Sequence, residues 1–269
     1  MENDGVILGQ RDSDFLAGVL PYEERNPSGD WTQFLPEGEK QFRYNISTQA
    51  CVSFSALNCL EVQSRFFGVG MNLSDRFTAF MSGTTPNGNW LCKVADSVRK
   101  DGVVSEEDWP FPFLSVEDYI GKSEEWVWNF YYTPPPIEII NKAKKFLESW
   151  SVAYEWIDAT KESLMHHLKH APVQVVLPGH AVMSFFTNEQ VIKYLDSYEP
   201  YLKETQSILS AMKIVLSKKQ TMLTQEQVNL FYDIEALPKD DSGRTYWIGK
   251  PVEEMLKTRK ADLKSFLNS

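Results

Sequence analysis

A cysteine, a histidine and an aspartate occur in this chain at positions where each could take part in nucleophilic catalysis. Cys51 opens an apolar stretch with helical periodicity, and the positive end of a helix dipole favours a thiolate over a thiol. His180 follows a Pro178-Gly179 turn between two apolar runs, and Asp196 ends the next apolar run. A lone cysteine in an apolar helix is usually a core residue. A thiol, an imidazole base and a carboxylate that orients the base form one chemical unit, so the three together are the candidate catalytic set.

A helix and a β-hairpin must position these residues. Apolar residues between 51 and 67 recur at three- and four-residue steps and predict a helix that ends at Gly68. The runs 172–177 and 180–186 predict two buried strands joined by a tight turn, and 191–195 predicts a third apolar strand. Each candidate catalytic residue therefore falls at the edge of a regular element.

The remaining patterns predict the surrounding elements. Further helices are expected at 75–80 after an N-cap at Ser74, and at 89–100, 137–149, 160–170 and 201–210; strands are expected at 152–157 and 211–216. Residues 109–136 are rich in aromatics and proline, which predicts an irregular connection packed by its own side chains.

In order and spacing, these motifs resemble those of the papain-like cysteine peptidases. The matching segments are Asp30-Trp31, Cys51-Val52-Ser53-Phe54-Ser55, Leu73-Ser74, Asn87-Gly88-Asn89, residues 101–111, Ala171-Pro172-Val173-Gln174-Val175-Val176, His180-Ala181-Val182 and Asp196-Ser197-Tyr198. The resemblance implies an α+β papain-like fold, with a helical left subdomain and an antiparallel β right subdomain. It also implies a thiol hydrolase that cleaves peptide or isopeptide bonds with Cys51, His180 and Asp196.

The same resemblance implies an oxyanion hole made by the Cys51 backbone N–H and an amide side chain. Six residues before the nucleophile, where the family has glutamine, this chain has Asn45; Gln49 and Gln41 are the other nearby amides. Losing one oxyanion donor costs about 10²–10³ in rate. Because the asparagine is one methylene shorter, an alternative stays open: a papain-fold structural or assembly protein, for example of a phage or virus particle, with weak or no activity.

Three segments make up the predicted domain organisation. Residues 1–27 form an N-terminal leader, 28–220 the peptidase domain, and 221–269 a helical appendage. In the appendage, Thr224 is expected to cap one helix and Pro251 to open another. We predict that this appendage docks on a partner protein or on the core.

Composition limits the partners and the compartment. The chain has 269 residues and a formal net charge of −10, which argues against binding to nucleic acid or acidic membranes. The chain has no run of 18 apolar residues, so no membrane anchor is predicted. Its N-terminus is acidic, so no signal peptide is predicted. A cytoplasmic protein, or one packaged in a particle, is expected.

The other cysteines and histidines are interpreted as structural, and no cofactor is expected. Three cysteines without a Cys-x-x-Cys pattern predict neither a disulfide framework nor zinc, so Cys59 and Cys92 are assigned to the core. His166, His167 and His170 lie close together, but nothing near them completes a metal site. A partly exposed helix end, with imidazoles near the negative dipole end, is the expected setting.

Overall fold

A buried helix, α1 (Cys51–Phe66), lies at the centre of the architecture. The computed structural model describes residues 5–9, 23–219, 246–247 and 250–251. Almost all of the sixteen residues of α1 are buried, because one side packs on a large β-sheet and other sides on neighbouring helices. A helix that is apolar around most of its circumference is typical of a core position. The helix begins at Cys51, as predicted.

The first part of the chain contributes helices and very short strands. β1 (Val6–Ile7), β2 (Phe42–Arg43), β3 (Ile46–Ser47) and β4 (Asn89–Trp90) have two residues each; β2 and β3 form a hairpin, whereas β1 pairs in parallel with β4. α2 (Asp75–Met81) follows Ser74, whose hydroxyl accepts a hydrogen bond from the Phe77 N–H, so the predicted cap is confirmed. α3 (Leu91–Asp101) begins two residues later than predicted because Asn89 and Trp90 are extended.

Two short helices interrupt the aromatic stretch where an irregular connection was expected. α4 (Val116–Tyr119) and α5 (Glu124–Tyr131) each begin after a serine that accepts a hydrogen bond from a backbone N–H of the first turn. The expectation of a wholly irregular segment is therefore wrong. Serine caps supply the local reason, because they satisfy N–H groups that a short helix leaves without a partner. α6 (Ile137–Ser149) follows as predicted.

A six-stranded antiparallel sheet forms the second part. Its strands are β5 (Trp150–Ile157), β6 (Val173–Leu177), β7 (His180–Thr187), β8 (Ile192–Leu195), β9 (Leu202–Thr205) and β10 (Ser210–Lys218), in the spatial order β5-β10-β6-β7-β8-β9. α7 (Lys161–His167) follows the Thr160 cap and precedes β6. Register places Leu177 opposite His180, which confirms the predicted hairpin.

The predicted helix over 201–210 is wrong. Residues 202–205 form the edge strand β9, which pairs with β8 from Leu195↔Leu202 to Ile192↔Thr205. The strand is polar and only half buried. It therefore has no apolar alternation of its own, and its hydrogen bonds to β8 decide its structure.

The core fills the space between α1 and the sheet. It includes Val52, Ala56 and Leu60 from the helix and Val175, Val182, Ile214 and Leu216 from the strands. Cys59 and Cys92 are fully buried, as assigned. Helices in the first part and an antiparallel sheet in the second make this an α+β fold, as predicted. Within the described residues, every helix is too short or too polar to cross a bilayer.

The chain divides into two compact units, residues 1–219 and 220–269. In the second unit, β11 (Tyr246–Trp247) and β12 (Lys250–Pro251) form an antiparallel pair. Pro251, expected to open a helix, instead belongs to this pair. The predicted helix after Thr224 lies outside the described residues.

Candidate active site

The three candidate catalytic residues meet where α1 begins and where β7 and β8 lie side by side. Cys51 is the first residue of α1, His180 is the first of β7, and Asp196 directly follows β8. The Cys51 Sγ accepts a hydrogen bond from the Ala181 N–H at 3.5 Å, which fixes the sulfur against the start of β7. The His180 Nε2 is 2.7 Å from the Asp196 Oδ1. The imidazole is therefore placed between the carboxylate and the thiol.

His180 is held in a setting that favours its protonated form. Burial alone would lower its pKa, but the hydrogen bond to Asp196 and the adjacent Cys51 thiol together raise the pKa to about 10. The second ring nitrogen, Nδ1, is buried and has no hydrogen bond of regular geometry. Cys51 nevertheless lies near enough to contribute to the raised pKa. This arrangement suits an imidazolium that pairs with a thiolate.

Asp196 has a second cationic partner that sequence reasoning missed. Lys203 Nζ lies 2.8 Å from Asp196 Oδ2, while Oδ1 accepts from both His180 and the Tyr198 N–H. Burial raises the pKa of Asp196, but His180 and Lys203 outweigh it and hold the pKa below its ordinary value. Lys203 lies on β9, the segment predicted as helix. Lys203 could have been predicted as a partner of Asp196 only if residues 202–205 had been recognised as an edge strand that pairs with β8.

Of the two candidate amides for the oxyanion hole, Gln41 is buried and Asn45 is exposed. Asn45 has φ +61 and is exposed at the tip of the β2–β3 hairpin. Gln41 is fully buried: its Oε1 accepts from the Ser197 hydroxyl at 3.1 Å, and its Nε2 donates to the Tyr198 hydroxyl at 2.7 Å. The Tyr198 ring in turn lies 5.4 Å from the His180 ring. Geometry therefore favours Gln41 over Asn45 as the amide beside the catalytic set.

A segment near the N-terminus packs against the approach to Cys51. Gly5 lies so close to Gln49 that an added Cβ would be 2.4 Å from the Gln49 carbonyl oxygen. The Gly5 carbonyl accepts from the Asn89 N–H at 2.8 Å, and Val6 is buried in the same apolar cluster as Cys51. Cys51 is 0% and His180 8% exposed. Residues 5–9 thus lie along β4, next to the residues that lead into the candidate nucleophile.

The other histidines lie away from this set, and their predicted setting is wrong in part. His167 and His170 are buried rather than partly exposed, and burial lowers the pKa of His167 to about 4. Their rings pack with that of His166. Burial therefore keeps His167 neutral, so it does not interact with the helix dipole as a cation. Within the described ranges no group of three or more His, Cys, Asp or Glu side chains is arranged to hold a metal.

Solved structures with the same architecture are cysteine proteases. The chain aligns with xylellain, a cysteine protease from Xylella fastidiosa, with a TM-score of 0.54 and 14% identity over 79% of this chain and 95% of that one. It aligns with procathepsin L 3 of the Tenebrio molitor larval midgut at a TM-score of 0.51 and 15% identity, over 79% and 76% of the two chains. For procathepsin B S9 of Trypanosoma congolense the TM-score is 0.50 with 11% identity, over 81% and 87%.

These comparisons define the fold class. Neither a protein-family model nor a curated protein sequence matches the chain. At identities this low the structural likeness shows architecture alone. The chain has the papain-like fold, as its sequence motifs predicted.

Proposed function

We propose that the chain is a papain-like thiol hydrolase that cleaves peptide or isopeptide bonds. The observation that carries this proposal is the position of His180, whose imidazole is hydrogen-bonded to Asp196 on one side and lies beside Cys51 on the other. This contiguous arrangement supports the proposal, because a nucleophile, a base and a group that orients the base must lie next to one another.

In the acylation step, the Cys51 thiolate attacks the carbonyl carbon of the scissile bond. A C–S bond forms while the carbonyl π pair moves to oxygen. When the carbonyl re-forms, the C–N bond breaks, and the His180 imidazolium gives its proton to the leaving amine. Neutral His180 then takes a proton from water, which attacks the thioester. A C–O bond forms, and when the carbonyl re-forms the C–S bond breaks with its electron pair on sulfur. The acid is released, and the Cys51 thiolate and His180 imidazolium are restored.

Gln41 and the Cys51 backbone N–H are the proposed oxyanion donors. A side-chain amide carries two N–H donors, and the bond to Tyr198 uses one of them. Ser197 holds the amide oxygen, which fixes the orientation of the group. An oxyanion donor is effective when it is held in place before the charge develops. The rigid setting of Gln41 meets this requirement, whereas the exposed Asn45 does not.

The test is the pH dependence of Cys51 alkylation by iodoacetamide, read for each cysteine by mass spectrometry. Rapid labelling well below pH 8 that disappears in His180→Ala is the expected result, because only an activated thiolate reacts at that pH. Cys59 and Cys92 serve as internal controls for accessibility. Labelling of Cys51 that is no faster than theirs and indifferent to His180 would favour a structural or assembly role.

A second measurement separates the two amides. In an assay of peptide hydrolysis, Gln41→Ala is expected to lower kcat by about 10²–10³. Asn45→Ala is the comparison variant: Asn45 lines the cavity beside Gln49, so the substitution is expected to change KM for some peptides but to leave kcat within a factor of about three. The reverse pattern would return the oxyanion role to Asn45.

A further inference from the structure

A cavity of about 410 Å³ lies beside the residues that lead into Cys51. One wall is formed by residues 45–47 of the β2–β3 hairpin together with Gln49. The opposite wall is the start of α5, with Glu124, Glu125 and Trp128, and Pro86 lies on the loop before β4. This volume is within the range of sites that hold small ligands or single side chains.

The lining of this cavity has the chemistry of a cation site. Among the described residues that line it, two are glutamates and none is basic. Trp128 and Pro86 provide apolar surface of the kind that covers a methylene chain or stacks on a guanidinium. The nearest basic residues in sequence, Arg43 and Lys122, contact other groups: Arg43 Cζ lies over the Phe111 ring at 4.0 Å, and Lys122 Nζ over the Trp126 ring at 4.9 Å. The cavity therefore offers negative charge and a flat apolar face.

Gln49 supplies an independent sign that a ligand belongs in the cavity. Its Oε1 is buried and has no hydrogen-bond partner within the described part of the chain. A buried acceptor of this kind usually finds a donor, and leaving it without one costs about 1–3 kcal/mol. Gln49 also has φ +55, a backbone conformation that non-glycine residues seldom adopt. Rotation of the Gln49 side chain would bring this acceptor to the cavity, where an N–H donor of a bound substrate satisfies it.

From these features we infer that the cavity is a specificity subsite for a lysine or arginine side chain of the peptide substrate. Glu124 and Glu125 attract the cation, and Trp128 and Pro86 contact its aliphatic stem. The Gln49 side chain rotates so that its Oε1 accepts an N–H of the substrate. The inference rests on the proposed function, because Gln49 is two residues before the proposed nucleophile and places the subsite next to the scissile bond.

The two glutamates also have a local structural role that the test must separate. Acidic residues in the first turn of a helix stabilise it through the helix dipole. Glu138 has the same position in the first turn of α6 and does not line the cavity. Glu138→Gln is therefore the matched control for the double variant Glu124→Gln/Glu125→Gln. A purely structural role predicts that all these substitutions affect stability and none affects substrate preference.

The first experiment is cleavage of a positional-scanning peptide library by the native chain. At one position, lysine and arginine are expected to be preferred over norleucine by about tenfold, an effect of a size that a partly screened pair of carboxylates can supply. The double variant is expected to lose this preference, whereas Glu138→Gln is expected to keep it. Equal cleavage of basic and norleucine peptides by the native chain would overturn the inference.

A second experiment does not depend on catalysis. Binding of Ala-Ala-Lys-Ala-Ala and of its norleucine analogue to Cys51→Ser is followed by isothermal titration calorimetry, with and without 0.5 M NaCl. The lysine peptide is expected to bind about tenfold more tightly at low salt and to lose most of that advantage at high salt. If no peptide is cleaved but this preference is present, the proposed function fails and the cation site stands. If the two peptides bind equally, the site fails whatever the activity.

Discussion

Two groups of buried ionisable side chains in this molecule have opposite electrostatic settings. The catalytic cluster consists of Cys51, His180, Asp196 and Lys203. The carboxyl cluster consists of Glu61, Asp75 and Glu106, with Glu39 as a neighbour that affects all three. Both clusters lie in the first unit, and their carboxyl groups are buried or half-buried. Only the catalytic cluster contains opposite charges within hydrogen-bond distance of each other.

The carboxyl cluster shows what burial does when the nearby cations are too weak to compensate it: Arg65 lowers the pKa of Glu61, and Arg43 and Arg76 lower that of Glu106, but burial outweighs them. Burial is the main cause that raises the pKa of Glu61 to about 8 and that of Glu106 to about 7, and it raises the pKa of Asp75 as well. Neighbouring carboxylates add to the effect. Glu61 accepts a hydrogen bond from the Leu73 N–H at 2.7 Å, and Glu106 accepts one from the Phe111 N–H. Glu61 is therefore mainly a neutral acid at neutral pH, whereas Glu106 is ionised in part.

The comparison shows that the sign of the neighbours decides the protonation state of a buried group. Asp196 is buried, as Glu61 is, yet its pKa is lowered, because His180 and Lys203 outweigh the effect of burial. The free-energy cost of burying the Asp196 carboxylate is offset there by two cations, His180 and Lys203. Of these two clusters, the one with the proposed chemistry therefore keeps its charges, and the other holds mainly neutral acids.

Removing the carboxylate of the catalytic cluster is expected to have the largest effect. Asp196→Ala leaves His180 without its partner and Lys203 without its anion. We expect kcat to fall by about 10³–10⁴. The pKa of His180 also falls, so the pH above which the imidazolium is lost moves down from about 10. The rate–pH profile of hydrolysis and the pH profile of Cys51 alkylation measure both effects.

Glu204→Ala is the control for this variant, because Glu204 is the neighbour of Lys203 on β9 and makes no contact with Asp196 among those described. It is expected to behave as the native chain. A profile for Asp196→Ala that matches the native one would show that Asp196 has no influence on the imidazole.

Neutralising the carboxyl cluster is expected to have the next largest effect, this time on stability. The folded-state pKa of Glu61, about 8, exceeds its unfolded value, so the contribution of the neutral acid is present at low pH and is lost as pH rises toward 8. Glu61→Gln keeps the shape and cannot ionise. We expect it to raise the free energy of unfolding by about 3 kcal/mol at pH 9 and to change it little at pH 5.

Urea unfolding at the two pH values measures this difference. Glu117→Gln, an exposed substitution on α4, is the control and should show no pH-dependent gain. An equal effect of Glu61→Gln at pH 5 and pH 9 would contradict the assignment of a neutral, buried acid.

Substitution of Lys203 is a finer test, because it removes one of the two cations beside Asp196 and leaves the other, His180. Lys203→Met is expected to lower kcat by about five- to tenfold, a modest effect since the ammonium is partly exposed. The pKa of Asp196 should rise, so the acid limb of the rate–pH profile moves to higher pH. Lys203→Arg should restore most of the native profile. A loss of rate without a shift of the acid limb would indicate a structural role only.

The smallest expected effect concerns the exclusion of water from the catalytic cluster. An added Cβ at Gly5 would meet the Gln49 backbone, so Gly5→Ala should displace residues 5–9 from β4. We expect alkylation of Cys51 to become about fivefold faster, because local opening governs access to a buried group. Leu8→Ala, at an exposed position of the same segment, is the control. Equal rates in all three proteins would show that this segment does not limit access.

Sequence reasoning succeeded where apolar periodicity was strong. It predicted the start of α1 at Cys51 and the hairpin that carries His180, because each is built from a buried apolar run. Lys203 could not be found in this way, since β9 is a polar edge strand specified by its neighbour. The proposed oxyanion role of Gln41 could not be predicted, because a hairpin lies between Gln41 and Cys51. The strands of this hairpin have only two residues each and leave no pattern in the sequence. The residue six positions before Cys51 is therefore Asn45, at the tip of the hairpin, and not Gln41.

The place of β10 in the sheet has a consequence for biosynthesis. This strand is the last of the first unit in sequence, yet it lies between β5 and β6. A nascent chain that ends before residue 210 therefore exposes the edges of β5 and β6 and lacks the strand that joins them. Because such non-local pairing forms late, the sheet that supports His180 is completed only after nearly all of the unit has left the ribosome. The order of synthesis thus delays assembly of the proposed active site until the unit is whole.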